Sequence, residues 1–359
     1  MAVRLADVAR VAGVSVPTAS QVMNGTGRVA DETRKRVLDV AKELDYRPNA
    51  LARSVALGRS RTIGVLAENA AGAFCMPVLI GVNRALSSQD LASLLFDARH
   101  DPATRRDHIR HMLDRQVDGI VVIGEGPDVA IAPLDEQFDG PIVHAFGPHD
   151  PPHAVGVYTD EFEGGALAAR ELLAQGRTRI AHVTAGADLL SVREREAGFR
   201  RALGEAGASC EIVLYGEFTR AWGQASADRL LAALPDVDGV FAGNDGIAVG
   251  LAATLEARGR RVPADVAIVG YDNVAGYGED TRPYLTSVDP HLELVGERAG
   301  SYLLAALEGD EGDRTPVAPA LALGASTRGE RDDRRLDLVE TLLRSATAPP
   351  VTYAPPAGS

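Results

Sequence analysis

The sequence predicts an N-terminal all-α headpiece of helix-turn-helix type with a hinge helix behind it, followed by an α/β body of two parallel-sheet subdomains. Three observations carry this expectation. Residues 1–45 repeat apolar positions at helical spacing around tight polar turns, short continuous apolar runs alternate with helical segments from Thr62 onward, and charge is divided unevenly along the chain. At 359 residues, with 45% hydrophobic and 24% charged residues, the chain has room for two to three packed domains and is not disordered throughout. No apolar run approaches the roughly 18 residues of a membrane span. The start, Met1 to Asp7, lacks the apolar stretch of a secretory signal, so a cytoplasmic location is expected. Cys75 and Cys210 stand too far apart for a disulfide framework or a zinc ribbon.

The net charge of −13 hides an asymmetry. Residues 1–60 hold ten Lys/Arg and six Asp/Glu, a balance of +4 that leaves −17 on the remainder. A basic module joined to an acidic body is the pattern of a polyanion-binding head on a regulatory or catalytic partner.

Leu5, Val8, Ala9 and Ala12 share one helical face. Gly13 permits a left-handed helix end, Ser15 can cap the next helix, and Pro17 is tolerated in its first turn, where no intrahelical donor is needed. That second helix runs from about Val16 to Met23 and stops at Asn24-Gly25. Ala19, Val22 and Met23 face inward, leaving Val16, Pro17, Thr18, Ser20 and Gln21 on the outer or leading surface. A third helix over about Asp31–Leu44 closes the unit with Val37, Val40, Ala41 and Leu44. Small and polar residues on the second helix suit a major groove, and flanking arginines suit phosphates.

The run LADVARVAGVSVPTASQVMNGTGRVADETRKRVLDVAKELDYRPNALARSVALGRSRTIGVL resembles the signature of the LacI/GalR bacterial transcription regulators, and the likeness continues to about residue 328. It implies a DNA-binding transcriptional repressor that is not an enzyme. A homodimer would bind a palindromic double-stranded operator, and a small effector, a carbohydrate by the family's prevalence, would bind in the body. The resemblance sets Val16, Pro17 and Gln21 at base-contacting positions. Gln21 stands where most relatives carry Arg and is better matched to adenine than to guanine. Pro17 offers no side-chain hydrogen bond. Ala30 replaces the usual Ser cap of the third helix, a loss of about 1 kcal/mol that Asp31 and Glu32 partly offset.

Beyond Pro48, a hinge is expected at 49–60, with Asn49 as cap and a helical stretch over Ala50–Leu57. Isolated helices below about 12 residues are marginal, so this one needs support. The resemblance supplies it from the minor groove and the partner subunit's hinge, with Val55 in place of the usual Leu wedge between Ala52 and Ala56. The candidate DNA contacts are therefore Ser15, Val16, Pro17, Thr18, Ser20, Gln21, Asn24, Arg28, Tyr46, Asn49, Ala52, Arg53, Val55 and Ala56.

Eight strands are expected in the body: Thr62–Ala67, Leu91–Asp97, Gly119–Gly124, Pro141–Phe146, Arg179–Ala185, Ile212–Gly216, Val240–Asn244 and Val266–Asp272. Continuous rather than alternating apolar strands belong to parallel sheets covered on both faces, and ligands sit beyond the carboxyl ends of such strands. Arg193, Arg195, Asn244 and Asp272 follow strands and supply donors and acceptors for a polar ligand, while Phe218 offers a stacking plate. By the residues alone, Asn or Asp after a strand is more often a cap or turn residue than a ligand contact. The resemblance adds the R-x-x-G-F of Arg195–Phe199, the N-D of Asn244-Asp245 and the G-Y-D of Gly270–Asp272 as effector-site motifs. It implies a periplasmic-binding-protein-like body. Phe146 stands where some sugar-binding relatives place a polar contact, so the effector is less hydroxylated on that side. Carbohydrate and purine both suit the set, and carbohydrate is the first reading.

The expected division is a headpiece at 1–48, the hinge at 49–60, a body at 61–329 and a partly disordered tail at 330–359. Within the body, subdomain one takes about 61–159 and 291–318, and subdomain two about 160–290 and 319–329. An enzyme reading finds little support: no GxxxxGK[ST] or early GxGxxG follows the first strand, and no cofactor is implied. His108 and His111, or His144, His149 and His153, lack the Cys or carboxylate partners of a metal site, so none is expected. A transport-type solute-binding protein would need a signal peptide and no DNA module, and no membrane partner is expected. Leu336, Val339 and Leu343 are too few for a tetramerising coil, so a dimer is preferred.

Overall fold

The computed structural model describes residues 3–46, 59–132, 134, 138–149, 151, 154–274 and 284–329. The expected hinge helix, with Asn49, Ala52, Arg53, Val55 and Ala56, and the tail from 330 lie outside the described residues.

The headpiece consists of α1 (Leu5–Ala12), α2 (Val16–Met23) and α3 (Asp31–Glu43). Val8, Ala9 and Ala12, with Ala19 and Val22, and Val37, Val40 and Ala41, form its core. Gly13 ends α1 at φ 67°, and Ser15 Oγ accepts the Thr18 backbone N–H at 3.2 Å. Ala30 gives α3 no side-chain cap. Arg36 Nε instead donates to Ala12 O at 3.0 Å, tying α3 to the end of α1.

The body holds two sheets. The first is parallel throughout, in the order β2-β1-β3-β4-β5, with β1 Thr62–Ala67, β2 Ala92–Asp97, β3 Gly119–Ile123, β4 Ile142–Ala145 and β5 Val155–Val157. Val65 lies opposite both Leu95 and Val121. The second has the order β11-β10-β9-β8-β6-β7, with β6 Ile180–Ala185, β7 Cys210–Gly216, β8 Gly239–Ala242, β9 Ala267–Tyr271, β10 Thr286–Asp289 and β11 Ala320–Ala322. Only β11, paired with β10, runs antiparallel among the described strands. Eight strands were expected; β5, β10 and β11 are additional, each too short or too polar to read as an apolar run.

Helices α4 (Cys75–Ser87), α5 (Pro102–Asp114) and α10 (Leu292–Glu308) cover the first sheet. Helices α6 (Glu161–Ala174), α7 (Leu190–Glu205), α8 (Arg220–Ala233), α9 (Asp245–Ala257) and α11 (Ala325–Arg328) cover the second. The chain passes between the sheets at three adjacent places. Thr159 Oγ1 donates to Pro290 O at 2.7 Å, and Val317 pairs with Thr159, its N–H bonding Tyr158 O at 2.8 Å. No described helix is long and apolar enough to cross a membrane.

Three helix pairs approach through reciprocal glycines. A Cβ on Gly81 of α4 would lie 1.9 Å from Glu293 O of α10, and one on Gly296 would lie 2.0 Å from Val78 O. Gly165 and Gly198 join α6 to α7 in the same way, and Gly223 and Gly250 join α8 to α9. Backbone cannot yield as a side-chain tip can, so the pairs must separate to admit a methyl group. Gly198→Ala, whose Cβ would sit 1.8 Å from Phe162 O, is expected to destabilise the protein by about 1–3 kcal/mol in urea melts. Gly204→Ala on the same helix, with nothing within 4 Å, is expected to be neutral or to stabilise by up to about 1 kcal/mol.

Candidate functional site

Two surfaces collect the residues singled out by sequence. On the headpiece, Ala19 and Val22 turn α2 inward. Val16, Pro17 and Gln21 are exposed, and Thr18 and Ser20 are half-buried. Ser15 and Thr18 share a hydroxyl hydrogen bond of 2.8 Å, and Asn24 Nδ2 donates to Ser20 Oγ at 3.3 Å, so these polar groups steady the helix ends. The Gln21 carboxamide lies over Gly27, where a Cβ would come within 2.9 Å of it. Arg28 is exposed beside it in sequence. Tyr46 packs half-buried against the headpiece core, which gives its ring a structural task that helical spacing did not reveal.

The second surface is a cavity of about 400 Å³ between the carboxyl ends of the two sheets, within the range of small-molecule sites. Phe146, Arg195, Phe218, Asn244 and Asp272 all line it. Arg193 does not. Two residues from Arg195 on α7, it points about 200° away around the helix. It is exposed, and its Nη1 donates to Asp188 O at 3.2 Å. Sequence reasoning missed Asn69, Phe74, Glu125, Asp128, Ser191 and Arg220, which also line it. Asn69 follows β1 and Glu125 follows β3, so the carboxyl-end rule, applied to the first sheet as to the second, would have found them.

Arg195 is the buried centre of this site. Its Nε donates to Glu161 Oε2 at 2.6 Å and its Nη1 to Gly243 O at 2.7 Å, and its guanidinium carbon lies 3.5 Å from the Tyr271 ring centroid. Burial alone would lower its pKa, but Glu161, with Tyr271 and Asp272, more than reverses this and holds the cation. Asn244 has two local tasks. Its Oδ1 caps α9 by accepting the Ile247 N–H at 2.8 Å, and its Nδ2 donates to Phe218 O at 3.4 Å.

Two carboxyls beside it are pushed upward. Burial raises Asp272 to about 6, with Arg195 opposing and Glu161 adding to the rise. Burial and then the like charge of Asp272 raise Asp245 to about 8, although Asp245 accepts from Ser287 Oγ at 2.7 Å and Val274 N at 3.0 Å. Phe146 and Asp272 have φ of 54° and 95°, conformations unfavourable to side chains of their kind and concentrated at ligand sites. Phe74 and Phe146 meet edge to face at 5.1 Å. Among the described residues no group of three or more His, Cys, Asp or Glu could hold a metal.

A helix-turn-helix joined to a two-sheet body with a ligand-sized cleft defines the class: a DNA-binding regulator with an effector-binding domain. Residues 4–49 match the family described as bacterial regulatory proteins, lacI family, and residues 169–327 match a periplasmic binding protein-like domain. The HTH-type transcriptional repressor PurR of Vibrio cholerae serotype O1 is 34% identical over 312 residues, 86% of this chain and 92% of that protein. The PurR of Erwinia tasmaniensis is 34% identical over 302 residues, 83% of this chain and 88% of that protein. The transcriptional regulator CelR, solved with cellobiose, is 32% identical with a TM-score of 0.60, covering 89% of this chain and 98% of that one. The lac repressor dimer bound to operator and the anti-inducer ONPF shares the fold at 24% identity and a TM-score of 0.67, covering 91% and 99%. The chain belongs to the lacI family of bacterial regulatory proteins. It is a DNA-binding transcriptional repressor and not an enzyme.

Removing one member of a buried ion pair leaves the other charge uncompensated. Arg195→Ala is therefore expected to cost about 3–5 kcal/mol of stability by urea denaturation, beyond any effect on ligand. An unchanged midpoint would show that Glu161 does not depend on it.

Proposed function

We propose that the protein represses transcription as a homodimer on a palindromic operator, and that a neutral carbohydrate in the cleft sets its operator affinity. The carrying observation is the chemistry of the cavity. Glu125, Asp128 and Asp272 face it against Arg195 and Arg220, and Arg195 already answers Glu161. An anionic effector would meet surplus carboxylate, whereas a neutral polyol finds acceptors in Asp272 and Glu125 and a donor in Asn69. Phe74, Phe146 and Phe218 supply apolar plates for the less hydroxylated faces of a sugar ring. The relative CelR, solved with cellobiose, supports the same class. In this reading residues 61–159 with 291–318 and residues 160–290 with 319–329 are the two jaws, and Arg193 is outside the contact set.

On DNA, Val16, Pro17 and Gln21 would enter the major groove, with Ser15, Thr18, Ser20, Asn24 and Tyr46 supporting or flanking them. Arg28 would meet phosphate, and the hinge, with Asn49, Ala52, Arg53, Val55 and Ala56, would enter the minor groove. A thermal-shift screen of the full chain against cellobiose, monosaccharides, sugar phosphates and purines tests the effector class. A shift with a neutral sugar and none with its phosphate is expected; stabilisation only by the phosphate or a purine overturns the carbohydrate reading. Repeating the screen with operator present gives the sign of the response.

The Asp272 carboxyl fixes a pH dependence. It accepts a ligand hydroxyl while ionised and loses most of that capacity below about 6. Sugar affinity is therefore expected to fall about tenfold between pH 7 and pH 5 by calorimetry, and Asp272→Asn should remove that slope. For DNA, Gln21→Ala is expected to cost about 1–3 kcal/mol at one base pair of each half-site and relax its preference for adenine. Arg28→Ala should weaken binding to all sequences alike and lower the salt slope by about 1. Fluorescence anisotropy across salt and single-base operator variants separates the two.

A further inference from the structure

We propose that Asp128 is a clasp between the two halves of the body: a carboxylate of the first caps α7 of the second in trans and sets how readily the cleft opens. Helices α5, α6, α8 and α9 each begin on a residue whose own side chain caps them: Asp101, Asp160, Thr219 and Asn244. Helix α7 begins after Leu189, which supplies no such bond, and its first turn carries no acidic residue. Its first amides would be left to solvent or to a group from elsewhere.

Asp128, from the loop after β3, is that group. Its Oδ1 accepts the Ser191 backbone N–H at 3.1 Å, and its Oδ2 accepts the Ser191 hydroxyl. Ser191 is only 2% exposed, so this is a formed contact rather than a surface encounter. A carboxylate at a helix N-terminus also meets the positive end of the helix dipole. The same turn is approached by a second group of the first half: His149 Nδ1 lies 3.9 Å from Glu194 Oε1, with the His149 ring stacked on Tyr158 at 3.7 Å.

Both Asp128 and Ser191 line the cavity, one from each half of the body, so their bond ties the two halves together at its edge. Opening the cleft must break it and expose the first turn of α7 together. A helix cap is thereby turned into a term in the opening equilibrium. The inference rests on the reading of the cleft as the effector site only for its consequence, since the clasp itself is a property of the two halves.

The test uses the full chain in a Cys75→Ala/Cys210→Ala background. Spin labels sit at Arg110→Cys on α5 and Arg201→Cys on α7, both exposed positions. Hydrogen exchange is followed at Ser191. With Asp128→Ala, the inter-label distances are expected to broaden toward longer separations, and the Ser191 amide to exchange about tenfold faster. Asp128→Asn, which still offers a capping oxygen, should show a smaller change in both. An unchanged distance distribution in Asp128→Ala overturns the clasp, even if exchange at Ser191 rises, because the contact would then be a cap without control over opening. A sugar screen that finds no ligand while the label distances still shift would defeat the effector reading and leave the clasp standing.

Discussion

A buried charge has to be answered where it lies, and the body of this protein is arranged around one such requirement. Arg195 is within 6% of full burial by side chain, and Glu161 within 1%. Their bond at 2.6 Å is possible because α6 and α7 touch backbone to backbone through Gly165 and Gly198. The same guanidinium holds Gly243 O, which fixes the end of β8 immediately before Asn244 caps α9. One cation thus orders three walls of the cleft: α7, the β8 carboxyl end and, through Tyr271, the end of β9. Its desolvation makes the pair a weak source of net stability but a strict demand on geometry.

The headpiece was almost wholly legible in the sequence because its constraints are local. Gly13 at its left-handed φ, Ser15 on the Thr18 amide and the inward Ala19 and Val22 all follow from residues within a few positions of one another. In the body, fully buried parallel strands such as Gly119–Ile123 read clearly as apolar runs. Strand Thr286–Asp289 did not, because its buried polar residues are satisfied by distant groups: Thr286 N–H bonds Ser326 Oγ at 2.8 Å and Ser287 Oγ bonds Asp245. Site residues divide in the same way. Asn244 and Asp272 follow visible strands, whereas Glu161 follows the short strand β5, which sequence did not resolve. Arg193 and Arg195 were read as a pair because a sequence line hides that neighbours two apart on a helix face different ways.

Within the cleft, strain and charge are concentrated together. Phe146 accepts the Gly126 N–H at 3.0 Å through its carbonyl while adopting a left-handed backbone, so the loop after β3 and the loop after β4 are locked to one another at the cavity edge. Asp272 adopts positive φ and a raised pKa at the opposite edge. A native structure retains such residues where the surroundings over-determine them. Beside Asp272 those surroundings include Asp245, and the two carboxyls share one buried region and cannot both ionise without cost. In the carbohydrate reading proposed above, a ligand hydroxyl donated to this region would lower that cost, whereas an anion would raise it.

The described chain re-enters the body at residues 59–61. Ser60 and Arg61 donate backbone N–H groups to the two oxygens of Asp118, at 2.8 and 2.7 Å, and Arg59 reaches both Glu308 and Leu307 O at the end of α10. These residues are therefore carried by the first sheet and not by the second. Helix α10 is itself keyed to α4 by Gly81 and Gly296, so the anchorage belongs to a packed unit rather than to a loose edge. Any rotation of one half of the body relative to the other then displaces residues 59–61 with the first half as a block. In the homodimer proposed above, the spacing between the two copies of residues 59–61 would follow the angle of the cleft, because each copy is fixed to its own first sheet.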